Sequence, residues 1–204
     1  MLAVPARDDP RDVLVGPTGG LPALPAGARV ATGSPRRAAQ ILAARPDLVI
    51  VPIRGNVGTR LDKLARGDAD ALVLAAAGLR RLGLDPSGAT PLPVEVSTPA
   101  PGQGSLAVEG RAGDADCAAV AALLDDAVTH ACLRAERSLL RTLGGGCLAP
   151  VGALCAPTAR GLRITAFAGA ADGTRGERVV LEGGRDDPEA LGAEAAGALA
   201  AVRR

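Results

Sequence analysis

The chain has 204 residues, 48% of them hydrophobic, and a formal net charge of +1. That length allows two compact units, each near the lower end of ordinary domain size. The charge balance gives no global attraction to nucleic acid or to a membrane surface. With one Phe and no Trp or Tyr, the cores must be built almost wholly from Ala, Leu and Val.

Residues 11–96 read as alternating strands and helices. Ala28–Thr32 is a short apolar strand. Ser34 can cap a helix with Pro35 at its first position. That helix runs through Ala38, Ile41 and Leu42 and must stop before Pro46. Leu48–Ile53 is a second strand. A helix carrying Val57, Leu61 and Leu64 begins at Gly55 or Asn56 and ends at Gly67. Ala71–Ala75 is continuous and apolar, as expected inside a parallel sheet. The βαβαβ order predicts a doubly wound α/β domain.

The remainder reads differently. Pro99, Pro101, Gly102 and Gly104 mark a hinge, followed by a strand at Ser105–Val108. Residues 118–143 read as helical. Val151–Cys155, Leu162–Ala168 and Arg178–Leu181 are strand candidates, and a helix near 188–202 closes a small α+β unit.

Cys117, Cys132, Cys147 and Cys155 contain no Cys-x-x-Cys pair, and with one histidine they make a poor zinc set. There is no signal peptide at the start and no apolar run of about 18 residues, the length a spanning helix needs. A cytosolic protein with reduced thiols is the resulting expectation. Cys132 shares an apolar stripe with Val128, Ala135, Leu139 and Leu143, and Cys155 lies in a strand-like run, so both are expected in the core. Cys147 differs. Three glycines precede it, Gly144–Gly146, and the helical spacing ends at Leu143. Glycine strips side chains from that flank and lets a bulky group approach the sulfur. The same features also fit a small buried residue. His130 opens the same helix, but no nearby group is expected to orient it as a base.

Arginines recur just after strand ends. Arg36 and Arg37 lie in the first turn after the first predicted strand. Arg54 follows the second, Arg60 lies early in the next helix, and Arg80 and Arg81 follow the third. In an open parallel sheet these are the ligand-binding ends of the strands. Helix N-termini there offer unpaired N–H groups, and guanidiniums bind carboxylates bidentately. Cations at a helix N-terminus are locally unfavourable, by roughly 0.3–1 kcal/mol each, so the clustering suggests an anionic ligand, with phosphates or several carboxylates; solvated arginines in an arginine-rich chain are the other reading. No Gly-x-x-x-x-Gly-Lys loop favours a nucleotide.

Five segments, in order, resemble the porphobilinogen deaminase (hydroxymethylbilane synthase) family. They are Thr32-Gly-Ser-Pro-Arg-Arg-Ala-Ala-Gln, Ile53-Arg-Gly-Asn-Val-Gly-Thr-Arg-Leu, Leu74-Ala-Ala-Ala-Gly-Leu-Arg-Arg-Leu-Gly-Leu, Ala100-Pro-Gly-Gln-Gly and Gly145-Gly-Cys-Leu-Ala-Pro-Val-Gly. The resemblance implies a doubly wound, periplasmic-binding-protein-like fold plus a small C-terminal α+β domain. It implies head-to-tail condensation of four porphobilinogen molecules into hydroxymethylbilane with release of ammonia, for tetrapyrrole (haem) biosynthesis. It also implies a dipyrromethane cofactor attached covalently to Cys147. Ser34, Arg36, Arg37, Arg54, Gly55 and Arg60 are then expected to hold the cofactor's acetates and propionates, with Arg81 and Gln103 lining the substrate cleft. A cytoplasmic monomer at full length, with no nucleic-acid or membrane partner, is the corresponding expectation.

The family's pattern is not matched throughout. Residues 1–12 resemble a segment well inside the family sequence, so most of the first family domain is expected to be absent. The family's catalytic aspartate, in a Ser-Leu-Lys-Asp-like motif, has no counterpart. The expected units are a crossover at 1–10, the α/β domain at 11–96, a hinge and remnant of the first domain at 97–122, and the C-terminal domain at 123–204. A non-catalytic polycarboxylate-binding module that retains the arginine cleft is the alternative reading.

Overall fold

The computed structural model describes residues 1–85, 88–144, 150–170 and 172–202. The first half is built on a five-stranded sheet. Its strands are β1 (Asp12–Val15), β2 (Arg29–Ala31), β3 (Val49–Val51), β4 (Ala71–Ala75) and β5 (Thr90–Pro91), in the order β3-β2-β4-β1-β5. β2 pairs parallel with β3 and β4, while β1 pairs antiparallel with β4 and β5. β4 is therefore parallel on one side only. The antiparallel strand β1 was hidden in the sequence because it opens on a charged residue, Asp12, and leaves an apolar run of only three residues, Val13–Val15.

Three helices cover the sheet: α1 (Pro35–Ala44), α2 (Val57–Ala65) and α3 (Ala76–Arg81). α1 starts where Ser34 accepts from the Arg37 N–H, with Pro35 in the first turn, and it stops at Arg45, ahead of Pro46. Asn56 caps α2 by accepting from Thr59 N at 2.9 Å. The strand period of two sorts the core. Leu14, Val30 and Val73 face one side with Ile41 of α1. Val13, Val15, Leu72 and Leu74 face the other with Leu79 of α3, and Leu61 of α2 packs against them. Covering both faces is the doubly wound arrangement.

The predicted strand at Ser105–Val108 is reduced to a single bridge between Ala3 and Val108. Val108 exchanges backbone hydrogen bonds with Leu2 and Ala3, and the glycine turn before it redirects the chain. Gly104 has φ +84°, and a Cβ there would lie 2.6 Å from the Asp8 carbonyl oxygen.

The helical stretch 118–143 is two helices, α4 (Ala115–Ala122) and α5 (Ala127–Thr142). Two aspartates break it. Asp126 accepts from Thr129 N at 2.7 Å and caps α5. Asp125 turns away to accept from Val4 N, also at 2.7 Å.

The C-terminal sheet has β6 (Val151–Pro157), β7 (Leu162–Gly169) and β8 (Gly176–Gly183), antiparallel throughout. α5 and α6 (Pro188–Val202) pack on one face around Leu139, Ile164, Leu162 and Leu199. Cys132 and Cys155 lie in this core, as expected, and Cys117 is exposed. Among the described residues no helix is long and apolar enough to cross a membrane.

Candidate functional site

The C-terminal ends of β2 and β3 lie side by side because the strands are parallel, so residues 33–34 and 52–54 converge. Gly33 permits this: a Cβ there would stand 2.8 Å from the Ile53 carbonyl oxygen. A pocket of about 440 Å³ opens at this edge, lined by Gly33, Ser34, Arg37, Ile53, Arg54 and Arg60. Among the described residues no carboxylate lines it. Arg54 is exposed, and among the described residues its guanidinium has no partner. Arg60 spends one donor, Nε, on the Gly55 carbonyl at 2.8 Å. A larger concavity, about 530 Å³, sits by the β7–β8 turn, but Arg175 and Glu177 there oppose each other in sign.

Behind the pocket lies a buried cluster. Asp12 is fully buried. Its carboxylate accepts from Arg36 Nη1 at 2.8 Å, Arg37 Nη2 at 2.7 Å and Nε at 2.9 Å, Ser97 Oγ at 2.8 Å and Gln103 Nε2 at 2.9 Å. Burial alone would push the Asp12 carboxyl up, but the charges and hydrogen bonds of Arg36 and Arg37 outweigh it and hold it at about 2. Arg36 also donates to the Thr98 carbonyl at 2.6 Å and to Gln103 Oε1 at 3.4 Å. Its terminal N–H groups are thereby spent inside the protein. Arg37 donates through Nη1 to the Val73 carbonyl yet still borders the pocket. Two guanidiniums against one carboxylate leave one uncompensated positive charge. An uncompensated buried charge is costly, and an anion in the adjoining pocket would relieve it.

The structure thus brings Ser34, Arg37, Arg54 and Arg60 together at one opening, with Gly55 supplying the carbonyl that orients Arg60. It separates Arg36, which faces inward. Arg81 and Gln103 face the segment joining the two halves. Arg81 donates to the Gly104 carbonyl at 2.8 Å, and Gln103 donates to the Pro10 carbonyl at 2.7 Å. Cys147 lies outside the described residues.

Sequence reasoning missed Asp12 and Glu136. Glu136 is fully buried and accepts both terminal nitrogens of Arg7, Gly102 N at 2.6 Å and Cys155 N at 2.7 Å. It joins the 1–10 segment, the glycine turn and the C-terminal sheet. Burial pushes its carboxyl up, against the pull of Arg7. A lone carboxylate inside an apolar strand or stripe was the available signal for both residues. The expectation that nothing orients His130 is also overturned: Asp125 Oδ1 lies 2.8 Å from its Nδ1. That pair ties the start of α5 to the Val4 segment.

An α/β unit with an arginine-lined pocket at the carboxyl ends of its parallel strands, joined to a small α+β unit, is an arrangement whose chemistry suits an anionic small molecule. Residues 1–119 match the family model "Porphobilinogen deaminase, dipyromethane cofactor binding domain", and residues 130–201 match "Porphobilinogen deaminase, C-terminal domain". The chain is 49% identical over 193 residues to the porphobilinogen deaminase of Roseiflexus sp. strain RS-1, covering 94% of this chain and 63% of that protein. It is 51% identical over 195 residues to the one from Acidothermus cellulolyticus, covering 93% and 59%. With the protein from Brevibacillus brevis the identity is 46% over 201 residues, covering 98% and 64%. The chain belongs to the porphobilinogen deaminase family, and it spans a little under two thirds of the length of these relatives.

Proposed function

We propose that this chain holds a dipyrromethane cofactor and the growing polypyrrole by their carboxylates, as part of a hydroxymethylbilane synthase acting in tetrapyrrole biosynthesis. The observation that carries the reading is the pocket at Ser34, Arg37, Arg54 and Arg60, where positive charge is gathered without a lining carboxylate. The chemistry of the donors fits the group. Acetate and propionate side chains are planar carboxylates, which guanidiniums bind through paired N–H groups. Ser34 adds a hydroxyl, and the start of α1 adds the positive end of a helix dipole.

When bound, dipyrromethane supplies the pyrrole carbon to which porphobilinogen units are joined. The residues of this chain divide the remaining work. Arg54 and Arg60 bind carboxylates at the opening. Arg37 transmits the charge of the buried cluster to the pocket. Arg36 and Asp12 fix the first turn of α1, so that Ser34 and Arg37 keep their places. Arg81 and Gln103 line the route to the hinge at 97–104, and Cys147 is the covalent anchor. In this reading 11–96 is the carboxylate-binding unit and 123–204 the unit that carries the anchor. A cytoplasmic location is the corresponding proposal, since the substrate is a small soluble metabolite.

Peptide mass mapping of the protein after incubation with porphobilinogen and a full-length family member tests the anchor. A dipyrromethane adduct on Cys147, absent from Cys147→Ser, is expected. An adduct on Cys117, Cys132 or Cys155, with Cys147 free, would overturn the assignment.

A further inference from the structure

We propose that Gln40 and Arg178 form a latch that sets the register of the C-terminal sheet against the arginine-bearing helix α1, positioning the carboxylate pocket from outside it. Gln40 lies one turn beyond Arg36 on α1 and is 2% exposed. Its Nε2 donates to the Arg36 carbonyl at 3.3 Å and to the Thr98 carbonyl at 3.0 Å. Its Oε1 accepts from Thr98 N at 2.8 Å and from Arg178 Nη2 at 3.0 Å. Every donor and acceptor of the amide is engaged.

Arg178 comes from β8, in the other half of the molecule. Besides Gln40, it donates through Nε to Thr98 Oγ1 at 3.1 Å. Its guanidinium carbon sits 5.5 Å from the Phe167 ring centroid, within cation–π range. Thr98 is thus the meeting point of α1, the hinge and β8, and its carbonyl is also the acceptor that Arg36 Nη1 uses.

Two further contacts reinforce the register. Ala153 N in β6 donates to the Pro99 carbonyl at 2.8 Å. Gly173, at the β7–β8 turn, fits against α1 so closely that a Cβ would lie 3.1 Å from the Ala39 carbonyl oxygen. A fully satisfied buried amide network rigidifies the groups it joins, and leaving part of it unpaired is costly. Breaking the latch frees Thr98, and Thr98 is shared with the cluster that orients Arg36 and Arg37. Arg178 and Gln40 are positioning residues; neither lines the pocket.

The test has two arms, and only the second rests on the pocket reading. First, hydrogen–deuterium exchange of Arg178→Ala, without ligand, should show several-fold faster exchange at residues 36–44 and 97–98, with β6 and β7 unchanged. Wild-type exchange at those residues would overturn the latch. Second, citrate affinity by calorimetry should weaken roughly 3- to 10-fold in Arg178→Ala and in Gln40→Ala. The double variant should lose less than the sum of the two single losses, because the Gln40–Arg178 bond is already removed in each single variant. Additive losses, or wild-type affinity in Arg178→Ala, would overturn the coupling. If the wild type binds no citrate, the coupling falls with the pocket reading, and the exchange result still decides the latch.

Discussion

Two groups of arginines sit at the same edge of one sheet and behave oppositely. Arg36 and Arg37 are folded over Asp12 in a buried cluster with Ser97 and Gln103. Arg54 and Arg60 stand at the pocket mouth without a carboxylate beside them. The difference lies in where β1 runs. Its antiparallel pairing with β4 delivers Asp12 beneath the first turn of α1, opposite Ala75 in the register, and among the described residues nothing equivalent reaches the start of α2. Arg36 is therefore committed to the fold, Arg37 is held by the same carboxylate while bordering the pocket, and Arg54 and Arg60 are available to a ligand. Arginine content alone does not distinguish the two roles; the partner of each guanidinium does.

The largest expected effect falls on the closed group. Asp12→Ala leaves two buried guanidiniums without their carboxylate, and removing one partner of a buried pair costs about 3–5 kcal/mol. Urea unfolding should show that loss. A loss below about 1 kcal/mol would mean that the cluster is solvated and that the contrast between the groups is false.

Acid should act on the same residue. The Asp12 carboxyl is held at about 2 against an ordinary value of 3.8. A depressed carboxyl stabilises the fold fully above its unfolded value and loses that stabilisation as pH falls through its folded value. The contribution, about 2 kcal/mol, should therefore vanish between about pH 5 and pH 2. Asp12→Asn should flatten that part of the stability–pH curve; an unchanged curve would assign the acid sensitivity elsewhere.

Ser34 belongs to both regions, capping α1 and lining the pocket. Ser34→Ala should cost about 1 kcal/mol in unfolding free energy and weaken carboxylate binding a few-fold. A change in one without the other would sever the two roles. The smallest effect is expected at Arg45, at the far end of α1, where it pairs with Asp47 and donates to the Leu21 and Leu24 carbonyls. Arg45→Ala should leave citrate affinity unchanged. A loss equal to that of Arg54→Ala would mean that general charge, and not a site, sets the affinity.

Much of the α/β half was legible because its signals are local. Ser34 with Pro35, Asn56 and the apolar run at Ala71–Ala75 each mark an element by short-range chemistry, and each element formed there. The strands and final helix of the C-terminal half were legible for the same reason. What escaped was long-range. β1 is short and carries an aspartate whose partners lie 24 and 25 residues away. Glu136 falls on the apolar stripe of α5, but the partner that lets it be buried, Arg7, lies 129 positions away. The break at Asp125 and Asp126 depends on Val4. The arginine site was legible as a cluster at strand ends, but its division into inward and outward members was not, because that division is decided by Asp12.

The contrast is tested most directly by titrating citrate into the wild type and into the Arg54→Ala/Arg60→Ala double variant, with unfolding midpoints measured on the same samples. The account predicts that the double variant loses at least tenfold to a hundredfold in affinity, the scale of a charge-assisted bond, while its midpoint stays at the wild-type value. Retained affinity, or affinity lost only together with stability, would contradict the assignment of the open arginines to the ligand and the closed ones to the fold.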